Sequence, residues 1–475
     1  AKWGLAIIED SLWNAIPKIC RKFDKIIHQY TKKYLPINYS PIKFGSWMGG
    51  DRDGNPFVTS KTTKEIILLS RWMAANLYAK ELTKLIQELS MHECSKNLRK
   101  LVGKTNDPYR VFLRPIRNKM IMTQKIIELH LNKNEKLDES LLVNSIYEVI
   151  EPLNIIYKSL IHINCHIIAN GEVLNLLRRC HAFGLNLAKI DIRQNSLQHK
   201  NLINSIFDFN GFKDFEKWNE SKKIKFLINK IKSNKNLLSK KIKLNKENNE
   251  TLETFKMLKD LPEECLGSYI ISNTSNISDI LSVMFLQKET GVKNYLNIVP
   301  LFETLKDLNN ADKIMEKLFR IPIYLKIFKR KQEIMIGYSD SSKDAGNFAA
   351  SWSIYQVQEK LYKISKRNNI NLTLFHGRGG SIGRGGGPVY AALLSQPPGT
   401  VNGKTKVTEQ GEVIQQKFST ESIAEYSLGT YIGSVLEATL SPPIKPKKNW
   451  IKLMNKMSTI GNISYKNQLI NNPEF

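Results

Sequence analysis

Short apolar runs that end in polar or charged residues recur along this chain, with helical periodicity between them. From Ile270 onward the runs follow one another at intervals of about 30 to 38 residues, close to the ~31 residues of one strand–helix unit in an eight-fold barrel. Helical patterns over 311–319 and 349–366 occupy two of the intervals. The runs are 41–44, 185–190, 268–271, 296–301, 333–336, 371–375 and 406–408.

This alternation predicts an α/β fold that is predominantly helical and is built on a (β/α)8 barrel of the TIM type. Seven candidate strands are visible rather than eight, so we expect the barrel to be incomplete in this chain. We expect residues 1–475 to form one barrel-based domain. Two long intervals, 60–180 and 202–262, are interpreted as mostly helical insertions, the second of them rich in lysine and asparagine.

The densest group of unusual residues is the glycine-rich segment 375–388, which follows the strand candidate 371–375. Glycine lets a backbone approach a ligand closely, and Arg378 and Arg384 offer planar forks of donors to carboxylate or phosphate oxygens. An ordinary turn explains some of the glycines but not the arginines, and Arg-Gly-Gly tracts that bind RNA lie in disordered, low-complexity sequence. The dinucleotide-binding fingerprint is not matched, because Ile382 occupies its third glycine position. The segment therefore predicts the anion-binding mouth of an active site.

Two acidic residues, Glu303 and Asp340, follow strand candidates. Active sites of barrels lie at the carboxyl ends of the strands, where paired carboxylates are typical oxygen ligands of Mg²⁺ or Mn²⁺. A single such acid is more often a helix cap or a surface residue. Other side chains at the same predicted rim support the interpretation of the pair as metal ligands. Together these residues describe a site for a small, multiply charged anion. These side chains are Arg193, Lys343, His376, Arg378 and Arg384.

The net charge of +27 raises the alternative of a nucleic-acid-binding protein. Much of the excess is lysine mixed with asparagine and isoleucine, as in 222–249, and all three amino acids have A/T-rich codons. We therefore prefer compositional bias to DNA binding.

Five scattered cysteines without a C-x-x-C spacing indicate free thiols in a reducing cytoplasm. No apolar stretch reaches the ~18 residues of a membrane-spanning helix.

Six long motifs of this chain are 44–56, 191–194, 301–305, 337–346, 375–380 and 394–399. They resemble those of the phosphoenolpyruvate carboxylases, in the order of that family and over nearly the whole length. Members of the family join bicarbonate to phosphoenolpyruvate, with Mg²⁺ or Mn²⁺, and release oxaloacetate, which feeds the tricarboxylic acid cycle, and inorganic phosphate. The resemblance implies that the complete enzyme is a cytoplasmic homotetramer, inhibited by a C4 dicarboxylate such as aspartate or malate.

The resemblance implies roles for particular residues. Glu303 and Asp340 match the metal ligands of the family. Arg193 and Arg378 match residues that hold the phosphoryl group of the substrate and the charge that develops on it. Lys343 matches the lysine of the active-site signature.

The glycine-rich segment carries the remaining matches. His376 lies within the family's glycine-loop signature and is expected among the catalytic residues. Gly379 and Gly380 are expected to contact the substrate. Arg384 matches an arginine linked to bicarbonate and to feedback inhibition.

Some features of the family have no match in this sequence. The catalytic histidine of the family lies upstream in a His-Pro-Thr-Glu motif, whereas this chain has no His-Pro, and further family residues would fall beyond Phe475. We therefore expect a central fragment of the enzyme that is inactive alone. Asn195 and Ser419 replace a usual acid and a usual glycine and change little. Besides the nucleic-acid-binding protein, another metal-dependent barrel enzyme acting on phosphoenolpyruvate or pyruvate stays an alternative.

Overall fold

The computed structural model describes residues 2–133, 135–377 and 389–470. Most of these residues are helical. The α-helices are Lys2–Ile7, Trp13–Thr31, Ser60–Glu88, Lys96–Val102, Pro108–Lys133, Tyr147–His162, His166–Ile168, Leu174–Phe183, Ser196–Phe209, Glu220–Lys232, Lys246–Asp260, Ile277–Thr290, Leu305–Leu318, Pro322–Ile327, Ser339–Ala345, Asn347–Arg367, Val389–Leu394, Gly411–Phe418, Glu421–Leu440 and Lys448–Tyr465. None of the described helices is both long enough and apolar enough to cross a membrane.

The described strands form one parallel sheet whose spatial order is the order of the chain. Parallel neighbours need a crossover connection, and helices supply it between the second and the sixth strand. The strands are β1 Gly45–Ser46, β2 Lys189–Asn195, β3 Leu266–Ser272, β4 Ile298–Phe302, β5 Lys331–Gly337, β6 Asn371–Gly377 and β7 Lys406–Val407.

Both faces of the sheet are covered, as its side-chain alternation shows. On β2, for example, Ile190 and Ile192 belong to the large apolar core between the sheet and its surrounding helices. On β3 to β6, the residues that alternate with the outward-facing ones point to the inner face and form a small, separate cluster. Its members are Ile270, Val299, Leu301, Met335 and Phe375, with Trp47 packed against them.

The sheet curls into an incomplete α/β barrel. Nζ of Lys406 on β7 lies 2.9 Å from Oδ2 of Asp191 on β2, although four strands separate β2 and β7 in the sheet. The rings of Trp47 and Phe375 also meet edge to face, with centroids 6.0 Å apart. The two ends of the described sheet therefore approach each other through its concave side.

Short turns lead from the strands into the helices. Thr304, two residues after the end of β4 at Phe302, caps the helix Leu305–Leu318. Its hydroxyl accepts from the Asp307 N–H, and the Asp307 carboxylate accepts from the Thr304 N–H, which is a capping box. This turn fixes the backbone beside Glu303.

A second core is formed mainly by helices and lies beside the barrel. It joins the first helices of the chain to those between β1 and β2 and to the helix Glu421–Leu440. The Trp13 ring is packed there between Tyr78 and Phe183, each with its ring centroid 5.2 Å away. The buried guanidinium of Arg179 also lies over the Trp13 ring.

Each of the seven sequence-predicted strands has a counterpart in the sheet, but two are displaced. The run 41–44 lies just before β1, which is Gly45–Ser46. The run 185–190 was expected to end before Asp191 and Arg193, yet β2 continues through both to Asn195. Their charged side chains do not end the strand because partners on the concave face pair with them. Asp340 also differs, since it lies in the first turn of the helix Ser339–Ala345 rather than at the end of β5.

Candidate active site

Glu303 follows the last residue of β4 and is 8% exposed. Its Oε2 accepts a hydrogen bond of 3.0 Å from the backbone N–H of Asn273, just after β3. A Cβ on Gly337, at the end of β5, would lie 3.1 Å from Cγ and 3.2 Å from Cα of Glu303. The glycine therefore lets the neighbouring strand close tightly over this carboxylate.

Glu303 is near its midpoint of ionisation at neutral pH. Its pKa is raised to about 7, first of all by burial and then by the charges of Asp340 and Asp53, while the Asn273 N–H and Arg193 act in the opposite direction. A buried carboxyl with acidic neighbours gains most when a cation arrives, because the cation stabilises the ionised form. This electrostatic setting suits a metal ligand.

Asp340 and Lys343 lie on the open side of the site. Nζ of Lys343 is 3.5 Å from Oδ1 of Asp340, one helical turn away. The side chains are 54% and 78% exposed, so this ion pair contributes little to stability. The charge of Asp340 raises the pKa of Glu303, so the two carboxylates are electrostatically coupled. Asp340 and Lys343 are accessible to a ligand that approaches from the solvent.

Arg193 lies on the inner face of β2 and is held on two sides. Its Nε and Nη2 donate to the two oxygens of Asp51, each over 2.7 Å. Its guanidinium carbon lies 4.7 Å from the centroid of the Trp47 ring. Despite burial, which acts in the opposite direction, the carboxylates of Asp51, Asp53 and Glu303 raise the pKa of Arg193. The cation is therefore permanent and precisely oriented.

His376 stands near the end of β6 and is 1% exposed. Its Nδ1 shares a hydrogen bond of 2.9 Å with the Tyr338 hydroxyl, from the segment that follows β5. Its carbonyl accepts from the N–H of Thr408, just after β7. The histidine thus joins three neighbouring strand ends below the start of the glycine-rich segment.

Four predicted site residues lie outside the described part of the chain: Arg378, Gly379, Gly380 and Arg384. Their roles remain predictions. The structure does place Glu303, Asp340 and Arg193 within electrostatic reach of one another.

The donor chemistry of the rim fits a divalent ion such as Mg²⁺. No cluster of three or more His, Cys, Asp or Glu side chains with metal-binding geometry occurs among residues 2–133, 135–377 and 389–470. Mg²⁺ in proteins commonly takes one or two carboxylates and fills its octahedron with water and substrate phosphate oxygens. Glu303 and Asp340 supply that minimal set.

Asp51 and Asp53 are the site residues that the sequence interpretation did not assign. Their segment faintly resembles a calcium loop, and its charges were expected instead to form salt bridges; the Asp51–Arg193 pair confirms this. The signal for them in the sequence was the segment 49–53, in which two glycines are followed by two acids with an arginine between them. Only the fold shows that they face β2, where Asp51 and Arg193 form an isolated parallel bridge.

Comparison with known proteins agrees with this geometry. The family model described as phosphoenolpyruvate carboxylase matches residues 1–475. Proteins named phosphoenolpyruvate carboxylase from Hahella chejuensis, Marinomonas sp. (strain MWYL1) and Acinetobacter baylyi are each 44% identical to the chain, over 475, 476 and 485 residues. Each alignment covers 100% of this chain and 54% of the relative. The chain thus spans about half the length of these relatives.

Proposed function

The chain belongs to the phosphoenolpyruvate carboxylase family, and we propose that its rim binds phosphoenolpyruvate for carboxylation by bicarbonate. The products of this reaction are oxaloacetate and inorganic phosphate. The observation that carries the proposal is the placement of charged residues near the carboxyl ends of the strands: the buried Glu303 just after β4, Asp340 and Lys343 in the helix that follows β5, and Arg193 on β2. It supports a site in which acids and a cation share one small anion with a divalent metal.

Glu303 and Asp340 would hold Mg²⁺ or Mn²⁺, which when bound supplies positive charge opposite the phosphoryl and enolate oxygens. The metal would also favour the ionised form of Glu303, whose pKa is about 7 in the unliganded chain. Lys343 lies beside Asp340 and adds a mobile cation to the rim. The family implies a divalent ion, and this donor set supports Mg²⁺ or Mn²⁺.

Arg193 would hold the phosphoryl oxygens together with Arg378. Bicarbonate oxygen attacks phosphorus, and the bond from phosphorus to the enol oxygen breaks, which yields carboxyphosphate and the pyruvate enolate. Carboxyphosphate then separates into CO₂ and phosphate, and the methylene carbon of the enolate attacks CO₂. Fixed cations stabilise each anion in turn. His376, Gly379, Gly380 and Arg384 are proposed to line the same anion-binding mouth.

We propose a (β/α)8 barrel of the TIM type as the framework, with 60–180 and 202–262 as insertions. Because the chain spans about half of its relatives' length, turnover is proposed to need the segments that the relatives carry outside the aligned half. Inhibition by a C4 dicarboxylate and assembly as a tetramer are proposed for the complete enzyme. The purified chain alone should bind substrate but form no detectable oxaloacetate. The family's catalytic histidine has no match in this sequence, and a general acid–base group typically raises a reaction rate about 10²–10⁴-fold.

A chimaera tests the function. Residues 1–475 replace the aligned half of the Hahella chejuensis relative, and oxaloacetate is measured with and without bicarbonate. We expect oxaloacetate and phosphate only with bicarbonate, and loss of both products in the matched chimaera that carries Asp340→Asn. A chimaera that melts cooperatively and binds phosphoenolpyruvate, but forms pyruvate rather than oxaloacetate, would favour another enzyme of phosphoenolpyruvate or pyruvate. The nucleic-acid alternative is not favoured by the family match.

A further inference from the structure

The backbone beside Arg193 is built as an extension of the sheet. The Arg193 N–H donates to the carbonyl of Gly50, and the Arg52 N–H donates to the carbonyl of Arg193, each over 2.9 Å. The segment around Asp51 thus runs alongside β2, beyond the two residues of β1. This pairing delivers the Asp51 carboxylate to the Arg193 side chain.

The close approach depends on Gly50. A Cβ at this position would lie 2.0 Å from the carbonyl oxygen of Asp191, a distance that no side chain tolerates. Arg52 ties the same segment to the helix Ser60–Glu88, because its buried guanidinium donates to Thr63 Oγ1 over 2.6 Å. Asp51 is therefore carried by a fixed backbone rather than by a free loop.

The N–H groups of Arg193 that donate to Asp51 determine which of its N–H groups are left for a ligand. A guanidinium has five N–H bonds, and the contacts of Asp51 engage Nε and one hydrogen of Nη2. Both hydrogens of Nη1 and the second hydrogen of Nη2 stay outside this pair. They form the outer fork of the guanidinium, which matches two oxygens of a phosphoryl group.

We propose that Asp51 is a positioning residue that fixes the Arg193 guanidinium with its outer fork towards the phosphoryl oxygens of the substrate. The proposal rests on the proposed function, because it takes Arg193 as a ligand of phosphoenolpyruvate. The Trp47 ring on a second side of the guanidinium limits its tilt. In this role Asp51 acts through Arg193 and needs no contact of its own with the substrate or the metal.

The alternative is that the Asp51 carboxylate competes with the substrate for Arg193. A carboxylate that neutralises Arg193 could also hold it away from the substrate, and then removal of the carboxylate would tighten binding. The two effects predict changes of opposite sign in the affinity for phosphoenolpyruvate. One substitution therefore decides between them.

Calorimetric titration of the chain with phosphoenolpyruvate in the presence of Mg²⁺ supplies the test. Asp51→Asn should raise the dissociation constant about tenfold, the effect of a lost charge-assisted orienting contact. Asp214→Asn, which removes an exposed carboxylate paired with Lys217, is the matched control and should bind as the parent does. In an Arg193→Lys background, Asp51→Asn should change the constant less than about twofold, because its effect passes through Arg193.

A spectroscopic readout separates positioning from a general loss of structure. In chain labelled with ¹⁵N-arginine, the Nε–H of Arg193 should give a slowly exchanging signal, assigned by its loss in Arg193→Lys. Asp51→Asn should shift and broaden this signal alone. Should Asp51→Asn not fold, Asp51→Glu is measured instead and should also weaken binding, since the longer side chain displaces the fork.

Unchanged or tighter binding by a folded Asp51 variant overturns the positioning role. A parent chain that does not bind phosphoenolpyruvate with Mg²⁺ contradicts the proposed function, and the role of Asp51 in it falls as well. Binding by the parent together with an unaltered Arg193 signal in Asp51→Asn contradicts the positioning role alone.

Discussion

Nζ of Lys406 lies 2.9 Å from Oδ2 of Asp191 and so joins β7 to β2 through the concave side of the sheet. The same ammonium is 3.3 Å from Oε2 of Glu333 on β5. The other Asp191 oxygen accepts from the backbone N–H of Ser268 over 2.7 Å, and the Ser268 hydroxyl donates to Glu333 over 2.9 Å. One ionic network thus connects four strands of the incomplete barrel.

Asp191→Asn should destabilise the chain by about 2–4 kcal/mol, because it removes the fully buried partner of an ammonium that is itself mostly buried. Urea unfolding followed by circular dichroism measures the loss. Asp214→Asn, at an exposed ion pair, serves as the control and should not shift the midpoint. Equal midpoints for the two variants would show that the network does not hold the barrel together.

Gly50→Ala should destabilise the chain by about 1–3 kcal/mol, since the new methyl group would overlap the Asp191 backbone. The matched control is Gly411→Ala, where nothing lies within 4 Å of the added Cβ. That substitution should be neutral or slightly stabilising. Similar melting temperatures for the two alanine variants would contradict the close approach of the segment around Asp51 to β2.

His199 should make the chain sensitive to acid. Burial, aided by the charge of Lys200, lowers its pKa to about 3, and its Nε2 lies 2.8 Å from the Tyr269 hydroxyl. A depressed folded-state pKa means that the contribution of His199 is complete above the unfolded value of about 6.5 and is lost as the pH falls from there towards 3. Between pH 8 and pH 5 this linkage amounts to about 2 kcal/mol.

The measurement compares urea unfolding at pH 8 and pH 5 for the parent and for His199→Gln. The parent should lose about 2 kcal/mol more of its unfolding free energy between the two pH values than the variant does. The variant is expected to be less stable at pH 8 because its packing against Tyr269 changes. An identical pH dependence for both proteins would rule out the linkage to His199.

The sequence predicted where strands occur better than where they end. The run 333–336 ends one residue before β5 does, at Gly337, and the run 371–375 ends two residues before β6 does, at Gly377. The boundary before Asp191 was wrong, because β2 continues to Asn195. The prediction took charged residues as the end of an apolar strand. In a curled sheet, the concave face brings distant strands together, so that Lys406 neutralises Asp191 inside the barrel. Such pairing depends on curvature, which local periodicity does not contain.

The sequence singles out candidate site residues whose chemistry is visible in isolation, and their roles stay predictions. Glu303 and Asp340 stand out as acids after strands, and the structure couples them. Asp51 was missed because its role depends on the neighbouring strand, 142 residues away along the chain. Nothing local in the sequence specifies that partner. His376 was predicted on the rim, and its link to Tyr338 again requires the parallel register of β5 and β6.

The central prediction is Mg²⁺-dependent binding of phosphoenolpyruvate at Glu303 and Asp340. Calorimetric titration of the chain should show binding with Mg²⁺ and none after chelation with EDTA. Glu303→Gln and Asp340→Asn should each weaken the Mg²⁺-dependent binding at least about tenfold, with melting temperatures that show a folded chain, while Asp214→Asn binds as the parent does. Equal affinity with Mg²⁺ and with EDTA, or full affinity in both acid variants, would contradict the assignment of this rim as the metal and substrate site.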